Sequence, residues 1–278
     1  MSTILVPTDF TEASRNAAIY ATHFAEDMGG RVLLFHAYHA AMAPTADAPT
    51  PVTFDIEELR IDSLKLLSKE AAILTAINGV QIDCFTSLGF AEDEIMEIEK
   101  NEKPDFIIMG IKAAGAVSEF LLGSMTTDLM SKTQTPLIII PEKSTYKRLR
   151  KIAFASDYSM VPNIDELNQL KYMIKKFNAK LYILNVEKEQ EDIEVDKDIQ
   201  MMKMENYFDD IEHSHNLPID NDLIHGLNTF ISDHEIDMIA MIPHKHNLLS
   251  RIFNESNSKK MAFHTSVPLI ILHSSLRK

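Results

Sequence analysis

The chain has 278 residues, enough for two domains of ordinary size or one large α/β domain, and 45% hydrophobic content gives it the material for a core. Its 41 acidic against 27 basic side chains leave a formal charge of -14, and the sequence holds no basic stripe, so nucleic acid is not an expected partner. The single cysteine, Cys84, excludes an internal disulfide framework and a cysteine-based zinc site, and fits a reducing compartment.

The opening "MSTILVPTDF" lacks a charged leader followed by a long apolar run, so no signal peptide is expected. No apolar run approaches the roughly 20 residues that a membrane-spanning helix needs. The expectation is a soluble, cytoplasmic protein with no membrane partner. The first element is a short buried strand in "ILVPTDFT", residues 4–11, ending in an aspartate, Asp9, and an aromatic. A helix over residues 12–27 follows, and Gly29-Gly30 supplies a glycine stop signal. "RVLLFHA", residues 31–37, is the second strand. "HAAMAPTADAPTPVTF", residues 39–54, is rich in Pro, Ala and Thr and has no period; it reads as a mobile loop, with a helix resuming near Asp55. Next come a strand at 80–86, a helix at 91–101, a strand in "PDFIIMGI" (104–111), a helix at 126–132 and a strand in "TQTPLIIIP" (133–141).

The landmarks then recur in order. "IAFASDYS" (152–159), "KLYILNV" (180–186), "IDMIAMIP" (236–243) and "HTSVPLIIL" (264–272) repeat the first, second, "PDFIIMGI" and "TQTPLIIIP" strands, so the chain is a duplicated unit joined near "EKSTYKRLR" (142–150). In the second unit an acidic lead, "EKEQEDIEVDKDIQ", replaces the Pro/Ala/Thr loop. Each unit reads strand, helix, strand, helix, strand, helix, strand. Such alternation implies a parallel sheet covered on both faces by right-handed crossover helices. Ligands of such sheets bind beyond the carboxyl ends of the strands, near the switch in strand order, which puts Asp9, Ala37 and Gly110 at one rim.

The "PTDF" strand end, the "DFIIMG" strand, the "LLGSMT" turn and the closing "PLIII" strand, in that order, carry a resemblance: both units resemble universal stress protein domains, and the whole chain is similar to a tandem universal stress protein. The resemblance implies an α/β fold of two repeated Rossmann-like domains, residues 1–144 and 150–278. Each would hold a mostly parallel five-stranded sheet with helices on both faces, the two forming an intramolecular pseudo-dimer. In the family's ATP-binding members a glycine, two residues, a second glycine, nine residues, a third glycine and a Ser or Thr embrace the ribose and phosphates. The matching positions are Gly110, Ala113, Gly123 and Ser124, with Ala113 the one departure. The nucleotide-binding set so implied is Pro7, Thr8, Asp9, Ala37, Met109, Gly110, Ala113, Gly123, Ser124, Met125 and Thr126. In it the Asp9 carboxylate accepts from the adenine and Ala37 is a small apolar wall.

Elementary chemistry stands beside that resemblance. Gly123, Ser124 and Met125 lie where a loop turns into a helix, so their N–H groups belong to the unpaired donors that favour an anion. Gly110, lacking a side chain, would let a sugar approach the backbone. If the second motif position requires a positive φ, Ala113 costs about 1 kcal/mol or more, which Gly115 could relieve by a shifted loop path. In the second unit Ile242, Lys245 and Glu255 replace all three glycines while Ser256 keeps the hydroxyl, so no ATP is expected there.

The functional expectation is a non-catalytic stress-response or signalling module that holds ATP or a related adenine nucleotide, with or without magnesium, in the first unit. The alternatives are a nucleotide-independent structural or protein-interaction module and, third, a slow ATPase, for which the sequence offers no general base. Neither a Walker P-loop nor a dinucleotide fingerprint occurs. Eight of the eleven histidines lie in the second unit, including the pairs His213/His215 and His244/His246. On a strand such a pair would put both rings on one side, but solvated loop histidines are the expectation and no metal ligand is assigned. "IQMMKMENYFDDI" (199–211) reads as a packed helix. The two "PLII" strands end their units as sheet edges. In the family such strands pair across a two-fold axis, so residues 136–140 are expected to pair with 268–272. A homodimer and an unspecified protein partner are further expectations.

Overall fold

The computed structural model describes residues 1–39, 55–114, 119–120, 124–156, 158, 164–187, 195–242 and 267–273. The first half runs β1 (Thr3–Pro7), α1 (Glu12–Met28), β2 (Arg31–Tyr38), α2 (Ile56–Asn78), β3 (Ile82–Leu88), α3 (Ala91–Glu102), β4 (Phe106–Ile111), β5 (Ala113–Ala114), β6 (Glu119–Phe120), α4 (Ser124–Lys132) and β7 (Leu137–Pro141). The second runs β8 (Lys151–Ala155), α5 (Ile164–Phe177), β9 (Lys180–Leu184), α6 (Val195–Tyr207), β10 (His213–Asn216), α7 (Leu223–His234), β11 (Met238–Met241) and β12 (Leu269–Ile271).

Helix ends follow local chemistry. Thr11 caps α1, its side chain accepting from the Ser14 N–H, and Gly29 closes the helix in the left-handed region at φ 65°. Asp55 caps α2 and Gly79 ends it the same way at φ 76°.

The strands form one ten-stranded sheet in the order β10-β9-β8-β11-β12-β7-β4-β1-β2-β3. Pairing within each half is parallel. The junction is antiparallel: Leu269, Ile270 and Ile271 of β12 face Ile139, Ile138 and Leu137 of β7. The two halves thus repeat the same five-strand order in mirror sequence, and the terminal "PLII" strands are the seam. The five-stranded sheet expected of each half is present, and in the first half its strands are those read from the sequence. In the second half β10 is the polar "HSHN", which has no apolar run to announce it.

Alternate residues of each strand enter two apolar layers. Ile4, Val6, Ile108, Ile138, Ile152, Phe154, Ala240 and Ile270 face one, while Leu5, Phe35, Ile107, Ile139, Ala153, Ile239 and Ile271 face the other. Both layers cross the seam, so the halves share a core. Phe24 of α1 packs edge-on to Phe106, ring centroids 5.3 Å apart, and lies 5.4 Å from Phe177 of α5. The segment between β7 and β8 is fastened to α1: Asn16 Nδ2 donates to the carbonyls of Pro141 (3.1 Å) and Ser144 (2.9 Å), and Tyr146 and Arg148 both bind the Asp27 carboxylate. Among the described residues, no helix is long and apolar enough to cross a membrane.

Candidate functional site

Strand order reverses between β1 and β4, where β2 continues one way and β7 the other, and the crevice at the carboxyl ends of these strands is where such sheets hold ligands. Pro7 pairs with Phe35 and Leu5 with Ile107. Carried two and four positions on, that register sets Asp9 level with Ala37 and Ile111. Thr8 is buried and donates its N–H to the Phe35 carbonyl at 2.8 Å, which extends the β1–β2 ladder. Asp9 is exposed at the rim.

The turn from β1 into α1 is built from hydroxyls. Asp9 Oδ1 accepts from the Thr11 N–H (3.0 Å) and the Thr11 hydroxyl (2.6 Å), and the Thr8 hydroxyl accepts from the Phe10 N–H (3.0 Å) and donates to Ser14 (3.2 Å). Burial pushes the Asp9 pKa up, but hydrogen bonds from the Thr11 and Ser14 side chains and the Thr11 backbone outweigh it and leave the carboxyl below its ordinary range. An ionised carboxylate has about four acceptor positions, so this turn leaves capacity for a donor in the crevice.

Two residues that sequence reasoning passed over complete the rim. Phe10 sits at φ 61°, a conformation uncommon for a bulky side chain, and its ring centroid lies 4.6 Å from that of His36. His36 Nδ1 meets the Thr8 carbonyl at 2.7 Å; a carbonyl only accepts, so this nitrogen carries the proton. The signal for Phe10 was present in the repeat, because Tyr158 follows β8 at the matching position with φ 53°.

Gly110 lies within β4 rather than at its end, and its environment revises the reason for its glycine. A Cβ there would fall 2.1 Å from the Ala13 carbonyl oxygen and 3.1 Å from the Ser14 nitrogen. The missing side chain admits the first turn of α1 to the strand, not a sugar. Met109, one residue earlier, is buried in the opposite layer with Ile107 and Ile139.

Ala113 is in β5, paired with Phe120 of β6, and Ala114 pairs with Glu119. An extended strand requires no positive φ, so the backbone cost anticipated for alanine does not arise. The helix expected from residue 126 already includes Ser124. It carries Met125, partly buried against the layer that Ala37 also joins, and Thr126, which is 3% exposed. The far end of α4 is held by a Lys132–Glu92 ion pair, and Glu99 Oε1 accepts from the Thr133 hydroxyl (2.6 Å) and the N–H groups of Gln134 (2.8 Å) and Thr135 (2.6 Å) on the way into β7. Gly115 and Gly123 lie outside the described residues, as do the side chains of Ala113 and Ser124.

Profile comparison decides the ancestry: the description "Universal stress protein family" matches residues 1–141, half of the 278 positions. The chain belongs to the universal stress protein family. A universal stress protein of Thermus aquaticus is 27% identical over 139 residues, 50% of this chain and 97% of its own length. One from Methanocaldococcus jannaschii is 25% identical over 155 residues, 51% of this chain and 96% of its own. A solved universal stress protein from Archaeoglobus fulgidus covers 98% of both chains at TM-score 0.75 and 19% identity, a likeness of fold across both halves.

The second half of this universal stress protein carries a different rim. Met238 pairs with Ile152 and Ala240 with Phe154, as Phe106 pairs with Ile4, so counting along β11 puts Ile242 in the place of Gly110. Ile242 is 6% exposed. Asp157, Lys245, Glu255, Ser256 and the pair His244/His246 lie outside the described residues. His213 and His215 correct the expectation of solvated loop histidines. Both are in β10, with side chains 8% and 14% exposed, and both contact Glu205 of α6. Burial pushes the His215 pKa below its ordinary value, against the raising pull of Glu205.

Proposed function

We propose that the first half, residues 1–144, holds ATP or a related adenine nucleotide, with or without magnesium, and that residues 150–278 are a degenerate partner domain without that site. The protein is then a non-catalytic stress-response or signalling module. The observation that carries this reading is the rim at the strand-order switch, where the exposed Asp9 carboxylate stands level with Ala37. In the first crevice, Asp9 offers an acceptor, Ala37 a small wall, and α4 from Ser124 to Thr126 the N–H groups that would meet an anion at a helix N-terminus. Family membership supports it further, through the glycine pattern that this chain matches at Gly110, Gly123 and Ser124.

One observation favours a rival, a nucleotide-independent structural or protein-interaction module: the Ala13 carbonyl by itself demands glycine at 110. Thermal shift of the full chain with ATP, ADP and AMP, each with and without Mg2+, separates the two. The nucleotide reading expects stabilisation that grows with ligand concentration, about 2.7 kcal/mol at a hundredfold excess over Kd. It also expects that response to vanish in Gly123→Asp, where a carboxylate meets phosphate. A flat response to all three nucleotides selects the rival.

A further inference from the structure

A cluster of nitrogen and carboxylate ligands lies in the second half, apart from the proposed nucleotide crevice. Glu205, His213 and His215 each bring one ligand atom to within 4.8 Å of the other two. The local sequence "ENYFDDIEHSH" accounts for the convergence. Glu205 stands in the last turn of α6, a short connection follows, and β10 returns as the edge strand beside β9. His213 and His215 are two apart on that strand, level with Leu181 and Ile183, so both rings leave the same face of the sheet, toward α6.

The ring geometry is compatible with metal ligation. His213 Nδ1 meets the Ile211 carbonyl at 2.9 Å and must carry the proton there, so Nε2, 3.0 Å from Glu205 Oε2, donates to that carboxylate in the charged ring and is free to ligate an ion in the neutral one. His215 Nδ1 lies 2.7 Å from the Tyr158 hydroxyl, and its Nε2 is 3.2 Å from the same Glu205 oxygen. That Nε2 is buried and, among the described residues, has no aligned hydrogen-bond partner. Two imidazoles whose far nitrogens are fixed by a backbone carbonyl and a phenol, with near nitrogens converging on one carboxylate, reproduce the outer-sphere arrangement that orients metal-binding histidines. For Zn2+ held at about 2.0–2.1 Å, tetrahedral ligand atoms stand roughly 3.3 Å apart. The observed 3.0 and 3.2 Å contacts are already close to that spacing.

We propose that Glu205, His213 and His215 bind a divalent transition ion of the zinc class, three protein ligands and a water, which staples the edge strand β10 to α6. The ligands are nitrogen and a single carboxylate, a set suited to Zn2+ rather than to Mg2+ or Ca2+, which prefer oxygen cages. An edge strand with a polar sequence gains from such a fastening, since it has one neighbour to hold it.

The test uses the untagged full chain, stripped with EDTA and then titrated with Zn2+. Expected are one equivalent bound, a rise in Tm that Mg2+ does not produce, and, with Co2+ as the probe, a visible absorption band. Glu205→Gln, on an exposed helical position, should lower the Tm in EDTA only slightly while weakening Zn2+ at least tenfold and removing the Co2+ band. His213→Asn should do the same to the metal readouts. The proposal is overturned if the stripped chain takes up no stoichiometric Zn2+, or if uptake is unaltered in both variants.

Discussion

The two rims of this sheet repeat one strand order and differ at one register position, Gly110 in the first half and Ile242 in the second. In the first half, α1 begins at Glu12, five positions after the end of β1 at Pro7, and its first turn comes so close to β4 that only glycine fits at position 110. In the second, Ile242 occupies the matching place as a buried side chain. At Gly110 the glycine is set by how near α1 stands to β4.

The largest effect is expected where the halves meet. Ile270 and Ile138 pair across the seam with no exposed surface, so Ile270→Asp buries an unpaired charge and should cost more than about 4 kcal/mol, enough to abolish cooperative urea unfolding. If the two halves expressed apart remained soluble and failed to associate, the shared core would not be what joins them.

Phe24→Ala removes the ring between Phe106 and Phe177 and should cost about 3–5 kcal/mol in urea melts. The rim comparison is sharpened by a reciprocal pair. Ile242→Ala should lose about 2–5 kcal/mol by leaving a cavity. Gly110→Ala should lose about 1–3 kcal/mol by forcing α1 off β4. A neutral Gly110→Ala would break the argument that helix approach dictates the glycine.

The smallest effect concerns Asp9. Its folded pKa lies below the ordinary 3.8, so its contribution is complete well above that pH and is lost as the pH falls through the lower folded value. Because the carboxylate is exposed, Asp9→Asn should cost only a few tenths of a kcal/mol at pH 7. The difference from the unaltered protein should shrink in melts taken toward pH 3. A difference that grew on acidification would contradict the assigned hydrogen bonds.

Repeats and apolar strands made the fold readable. The seam expected between residues 136–140 and 268–272 is present as Leu137–Ile139 against Leu269–Ile271, because a hydrophobic terminal strand must be covered. Caps at Thr11, Asp55 and Gly29 mark helix ends through chemistry that is local in sequence. Less was legible at the sites. The role of Gly110 depends on a contact with Ala13, nearly a hundred positions away, and glycine in a phosphate-loop pattern looks identical to glycine in a tight helix contact. The β5–β6 pairing interrupts what reads as a simple small-residue loop. The histidines of β10 looked like loop residues because "HSHN" has no hydrophobic period; their burial comes from α6 packing over an edge strand.

The central claim, one nucleotide site in the first half and none in the second, is tested most directly by isothermal titration of the full chain with ATP in the presence of Mg2+. The account predicts a single site per chain, lost in Gly123→Asp and unaffected by Ile242→Ala. Two equivalent sites, or no binding at all, would contradict it.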